Sequence, residues 1–255
     1  MKYLNSFETN SDYSSWESSE KWITPNVALI KENNDVLFNP YIPPVSDPFN
    51  GHEYVDLGLP SGTLWAKCNI GGNNETDYGL YFAWGETVGY NSSQVGNGNG
   101  QRPFDGSDYK WSEGEFSCDG SSCTKYKPGL DNLTTLLPED DAASVNMGGS
   151  WHMPSKEQCE ELINSSYTTT SWTTVNGING RKITSKTNGN TLFLPASGYC
   201  LWGSVNFVGS GGYYWSSSLD TEYPGSAWDL DFYSGGIYVD GSNRYFGRTV
   251  RGVVG

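Results

Sequence analysis

From Ser166 onward the chain breaks into short β-prone runs separated by Gly, Asn and Ser: "SWTTVNG", "GRKITSKT", "NTLFLPASGY", "YYWSSSL", "AWDLDFYS", "GIYVDGS" and "GRTVRGVV". Each is the length of one strand, and several alternate apolar with polar residues, the period-2 signature of a half-buried sheet. Only two upstream segments read as helix. "MPSKEQCEELINSS" places Ser155 three residues before Gln158, a capping box, and sets Cys159, Leu162 and Ile163 on one face. A second helix over 136–145 would open at Pro138, with acidic residues at its positive end. Two helices among many short strands predict an α+β domain with a mostly antiparallel sheet.

Residues 1–48 read as a separate unit. Apolar runs Ile23–Ile30 and Val36–Tyr41 flank Glu32-Asn33-Asn34-Asp35, residues that tolerate a tight turn, so a hairpin is expected there. A short helix is expected at Tyr13 to Glu20. "NPYIPPVSDPFNG" cannot continue a ladder and reads as a Pro-rich linker to a domain at 49–255. The hairpin either attaches or oligomerises the protein, or simply packs on the larger domain. Residues 89–130, rich in Gly, Asn, Ser and Asp, read as long surface loops.

The chain carries a formal charge of −14 and a pI near 4.4. That balance excludes nucleic acid, which demands a basic footprint, and disfavours anionic membrane surfaces. No run is long and apolar enough to insert in a bilayer. The polar start lacks a signal-peptide core, so either a signal has been removed or the protein leaves its cell without one; the initial Met favours the second.

Nor does the sequence assemble a catalytic centre. His52 and His152 stand apart, and Asp140-Asp141 sit where a helix start welcomes acids. "GYNSSQVGNGNG" lacks the Lys of a phosphate-cradling loop. Five cysteines, Cys68, Cys118, Cys123, Cys159 and Cys200, are too sparse for a zinc site. Cys118 and Cys123 could close a small loop or remain thiols. The expectation is no enzyme and no cofactor, with a structural calcium left open by the many carboxylates.

Six segments in order, "YVDLGLPSGTLWAKCNIG" (54–71), "DYGLYFAWGET" (77–87), "LPEDDAASVNMGGSWHMPSKEQCEELI" (137–163), "LFLPASGY" (192–199), "GYYWSSS" (212–218) and "GRTVRGV" (247–253), resemble the Bacteroides-type surface and phage module in the formylglycine-generating-enzyme branch of the C-type lectin fold. Residues 22–41 resemble an N-terminal hairpin of gut-phage virion and tail proteins. The enzyme of that branch uses a cysteine pair late in the domain; nothing after Cys200 is Cys, so its oxidase activity is not expected. Calcium lectins of this fold use Glu-Pro-Asn and Trp-Asn-Asp segments, of which "AWDLDF" is a faint echo.

One subgroup comprises the variable proteins of diversity-generating retroelements, many of them phage tail receptor-binding proteins. Their copying process mutates template adenines, often in AAC codons. Such codons reach many residue types but never Lys, Glu, Gln, Met or Trp. None of those five occurs in residues 229–255. The resemblance therefore implies a ligand face of Asp229, Asp231, Tyr233, Gly236, Tyr238, Asp240, Asn243, Tyr245 and Phe246, joined by Asp220, Thr221 and Tyr223. Trp228, Leu230, Phe232, Ile237 and Val239 alternate with it as a fixed scaffold. The implied protein is a virion tail adhesin for a cell-surface protein or glycan, homo-oligomeric and by analogy with tail fibres a trimer. The alternative is an undiversified bacterial surface module of the same fold.

Overall fold

The computed structural model describes residues 27–32, 35–40, 49–95 and 104–255. The chain divides into two compact units, Met1–Asp47 and Pro48–Gly255. In the first, β1 (Val27–Glu32) pairs antiparallel with β2 (Asp35–Pro40), Glu32 opposite Asp35, as a hairpin around Asn33-Asn34 requires. The expected helix at 13–20 and most of the linker lie outside the described residues.

The second unit begins with β3 (Tyr54–Asp56) and β4 (Leu64–Ala66). Helices α1 (Ala142–Met147) and α2 (Lys156–Ile163) follow. Then come β5 (Thr168–Val175), β6 (Ile178–Ser185), β7 (Thr191–Pro195), β8 (Tyr199–Leu201) and β9 (Ser204–Asn206). The chain finishes with β10 (Gly211–Leu219), β11 (Ser226–Tyr233), β12 (Gly236–Asn243) and β13 (Val253–Val254). These form antiparallel sheets β5-β6-β7 and β10-β11-β12, the small sheet β13-β4-β3 and the hairpin β8-β9. The described chain is thus a mainly β, α+β structure with two short α-helices.

Helix α2 starts where the capping box places it: the Ser155 hydroxyl accepts from Gln158 N, and the Gln158 side chain accepts from Ser155 N. Helix α1 starts later than expected, at Asp141 rather than Pro138. The buried Asp141 carboxylate accepts from the amides of Ala143, Ser144 and Met153, which ties the helix start to the strand-like segment before α2. Asp140, its neighbour, is held by Lys110, Lys125 and Tyr126 and is buried. Both carboxylates serve the fold.

One core cluster gathers Trp84, Tyr126, Met147, Trp151, Met153 and Trp215. Another, between α2 and the two large sheets, contains Trp65, Leu162, Ile183, Leu194, Tyr214, Leu230 and Phe232. Burial of such large side chains, each contributing about 1.5–3 kcal/mol, explains how a Gly-rich chain stays ordered.

Two expectations are corrected. The segment from residue 104, read as surface loop, is anchored by buried side chains: Phe104, Tyr109, Cys123 and Tyr126 are buried, and the Tyr109 hydroxyl donates to Trp84 O at 2.7 Å. The run "GRTVRGVV" is not a strand throughout; only Val253–Val254 pairs regularly, with Leu64–Trp65 of β4. Before it the chain is pinned by buried arginines. Arg251 donates to Asn69 Oδ1 and to the carbonyls of Ala66, Lys67 and Phe193. Ladder geometry gives way to these side-chain bonds. All five cysteines are free thiols, so no Cys118–Cys123 bridge closes the loop between them. Among the described residues no helix is long and apolar enough to cross a membrane, and no cluster of three or more His, Cys, Asp or Glu is placed to hold a metal.

Candidate ligand-binding face

The β10-β11-β12 sheet sorts its side chains by the alternation read in the sequence. Leu230, Phe232, Ile237 and Val239 point into the core shared with α2, as does Tyr214 of β10. The opposite parity carries Asp229, Asp231 and Tyr233 on β11 and Gly236, Tyr238 and Asp240 on β12. Register places Asp231 between Tyr213 and Tyr238, and Asp229 between Trp215 and Asp240. A one-residue slip would exchange the two sets, and burial of the apolar set is what excludes it.

Tyr233 and Tyr238 are half exposed and stack side by side, ring centroids 6.0 Å apart and planes 28° apart. Their hydroxyls lie 3.5 Å apart, and that hydrogen bond is the main influence raising the Tyr233 phenol above its ordinary value. Asp240 is exposed and accepts only from the amide of Gly241. Asp231 is half-buried, opposite Tyr238 on one side and Tyr213 on the other. Desolvation first, and the Asp240 charge second, push its carboxyl up to about 6.

Not every position assigned to this face is open. Asp229 is fully buried and ion-paired with Arg248, itself buried, over the rings of Tyr213 and Trp215. Burial pulls the Arg248 guanidinium below its usual range, against the opposing influence of Tyr213 and Tyr199. Arg248 also donates to Ser242 Oγ. Gly236 is buried beside Tyr238, and a Cβ there would meet the end of that half-exposed side chain. Asn243 has the scaffold parity, opposite Ser226, and ends the strand. Asp220 is buried and accepts from the amides of Glu222 and Tyr223. With Thr221 it lines a separate cavity of about 410 Å³ on the Trp228 side, where Lys156 Nζ sits 3.5 Å over the Trp228 ring. Tyr223 is exposed on the connection between β10 and β11.

Tyr245 and Phe246 belong to a run of rings that sequence reasoning did not assemble. Phe116 packs on Tyr245 (4.8 Å), Tyr245 on Phe246 (4.9 Å), Phe246 on Tyr199 (5.7 Å), and Tyr199 on both Phe207 (5.8 Å) and Tyr213 (5.0 Å). The ladder runs from the anchored loop across the β8-β9 hairpin to the Asp231 site. Phe207 is 59% exposed and Trp202 62%. Both have positive φ, +58° and +48°. Trp202 and Gly203 occupy a two-residue hairpin turn with φ positive at both, a position that normally selects Asn, Asp or Gly. The one sequence signal was a bulky residue, followed by Gly, where a turn former belongs.

The Asp231 environment has a measurable cost. Its folded-state carboxyl lies above the unfolded value, so its contribution to stability is complete below about pH 4 and is lost as pH rises through about 6. Asp231→Asn is therefore expected to stabilise the protein at pH 7.5 by roughly 1–2 kcal/mol, after discounting for solvent screening, and to have little effect at pH 4. Urea unfolding at the two pH values measures this difference.

No curated protein and no solved structure matches the chain. A domain of unknown function, DUF8237, matches residues 168–253, which run from β5 into β13 and contain the whole β10-β11-β12 face.

Proposed function

We propose that residues 49–255 form a display domain of the C-type lectin fold, and that the protein is a non-enzymatic receptor-binding adhesin of a phage tail. Its ligand is a molecule of the bacterial surface, and its N-terminal unit serves attachment or assembly, by analogy as a trimer. The observation that carries this reading is the segregation on β11 and β12: apolar residues enter the core, while Tyr233, Tyr238, Asp231 and Asp240 share the other face. Tyrosines offer a large amphipathic contact with few rotors to freeze, and strands present them pre-organised.

The undiversified alternative is favoured by a specific observation. Asp229 is locked by Arg248, which removes one of the positions that diversification would vary. A near-copy of the coding region for 229–246 beside a reverse-transcriptase gene would support diversification, and its absence the alternative.

The ligand face itself is tested by Tyr233→Ala with Tyr238→Ala in the full chain, scored by binding of labelled protein to a panel of Bacteroides isolates. Binding is expected to fall at least tenfold while the thermal midpoint stays within a few degrees. Undiminished binding would place the receptor site elsewhere.

A further inference from the structure

The open part of the β10-β11-β12 face carries negative charge that the described residues leave uncompensated. Asp231 accepts no hydrogen bond among the described residues; its Oδ1 is enclosed, and Oδ2 is the oxygen left toward the surface. Asp240 stands two positions beyond Tyr238, the residue opposite Asp231, and accepts nothing but its neighbour's amide. Neither nearby cation pairs with these carboxylates among the described residues. Arg248 is committed to Asp229 and Ser242, and Arg181 of β6 hydrogen-bonds the neutral Thr170 Oγ1 and the carbonyl of Tyr233. Beside the two carboxylates lie the stacked rings of Tyr233 and Tyr238.

Rings next to paired carboxylates match one organic group closely. A guanidinium is flat enough to lie on a tyrosine ring and forked enough to donate to a carboxylate edge. An ammonium would satisfy the charge but not the plane. The face is also open: Tyr233, Tyr238 and Asp240 are exposed, and two cavities among the described residues, of about 250 and 410 Å³, are lined by other residues, the first by His52, Cys68 and Met147 among others, the second by the Trp228 group. An open face suits a side chain projecting from a protein surface better than a small molecule needing enclosure.

We propose that this face docks a partner protein through an arginine side chain, laid over Tyr233 and Tyr238 and paired with Asp231 and Asp240. The inference rests on the assignment of the ligand face made above. Its pH dependence follows from the groups around Asp231: Tyr213 on β10, Tyr238 and Asp240 on β12, and beyond them the closed pair of Asp229 with Arg248 and the hydrogen-bonded Arg181. Asp231 takes up its proton near pH 6, and a protonated carboxyl does not pair with a guanidinium, so affinity falls as pH drops through that value.

The test titrates the full chain with a terminally blocked tetra-arginine peptide, using a tetra-citrulline peptide as the neutral isostere, tetra-lysine, and an oligomer of glucosamine. Arginine peptide is expected to bind best at pH 7.5, several-fold more weakly at pH 5, and at least tenfold more weakly to D231N/D240N. Glu53→Gln with Glu160→Gln removes the same charge from the exposed loop before β3 and from α2, and is expected to leave binding unchanged. Equal binding by citrulline peptide, an equal loss in the Glu53/Glu160 variant, or unchanged binding by D231N/D240N would overturn the proposal. Tighter binding of the glucosamine oligomer than of either peptide would also overturn it, in favour of a glycan. On bacterial cells the two readings separate. If D231N/D240N binds normally while the double tyrosine variant does not, the ligand face stands and arginine docking falls; if both bind normally, both fall.

Discussion

Arg244→Ala is expected to lower the stability of the 48–255 unit by about 4 kcal/mol, read from the midpoint of urea unfolding. The side chain is fully buried and among the described residues it forms no ion pair. Its fork donates instead to the Tyr109 hydroxyl and to the carbonyls of Tyr126, Pro224 and Lys125, at 3.0 to 3.3 Å. The guanidinium lies over the rings of Trp84, Tyr109 and Tyr126. Removing it strands several buried acceptors together, each costing about 1–3 kcal/mol, and leaves a cavity among aromatic rings. Relaxation and water entry would recover part of that sum. Arg244→Lys keeps the charge but loses the fork, so an intermediate loss is expected. A change below 1 kcal/mol in Arg244→Ala would mean that the anchored loop does not depend on this residue.

Asp229→Ala should cost about 3–5 kcal/mol, because it leaves the Arg248 charge buried and unpaired. Asp240→Ala, directly opposite on β12 and exposed, should change stability by less than about 0.5 kcal/mol. The contrast separates positions that display from positions that hold the sheet, although both are aspartates of the same parity. Thermal or urea unfolding of the two single variants checks it. Equal effects would mean that the pairing of Asp229 with Arg248 is dispensable.

These two arginines mark where sequence reasoning stopped. Period-2 alternation in "AWDLDFYSGGIYVDG" reports which side chains share a face, and the structure keeps that division. The capping box at Ser155 and the hairpin around Asn33-Asn34 are equally local signals, and both elements form. Whether a residue on the outer parity is open depends on what later chain crosses it, and no local pattern carries that. Arg248 covers Asp229, and Arg251 bonds Asn69, 182 residues earlier. An arginine in a polar run reads as surface because most are. Only long-range geometry reveals one satisfied by carbonyls. The ring ladder stayed hidden for the same reason, since Phe116, Tyr199, Tyr213 and Tyr245 lie on separate segments.

The small sheet β13-β4-β3 has a consequence for how variants of such a chain would be filtered. Val253 pairs with Trp65 and bridges to His152, and Arg251 and Arg248 lock in just before it. Arg248, Arg251 and Val253 all lie downstream of residues 229–246. A substitution in that window leaves the closing residues intact, whereas a slip of reading frame scrambles every one of them. If copying errors are written into this window, folding itself acts as the proofreader: in-frame changes at open positions such as Tyr238 and Asp240 reach the surface, changes at Asp229 or Arg244 are penalised, and frameshifted products never complete the sheet.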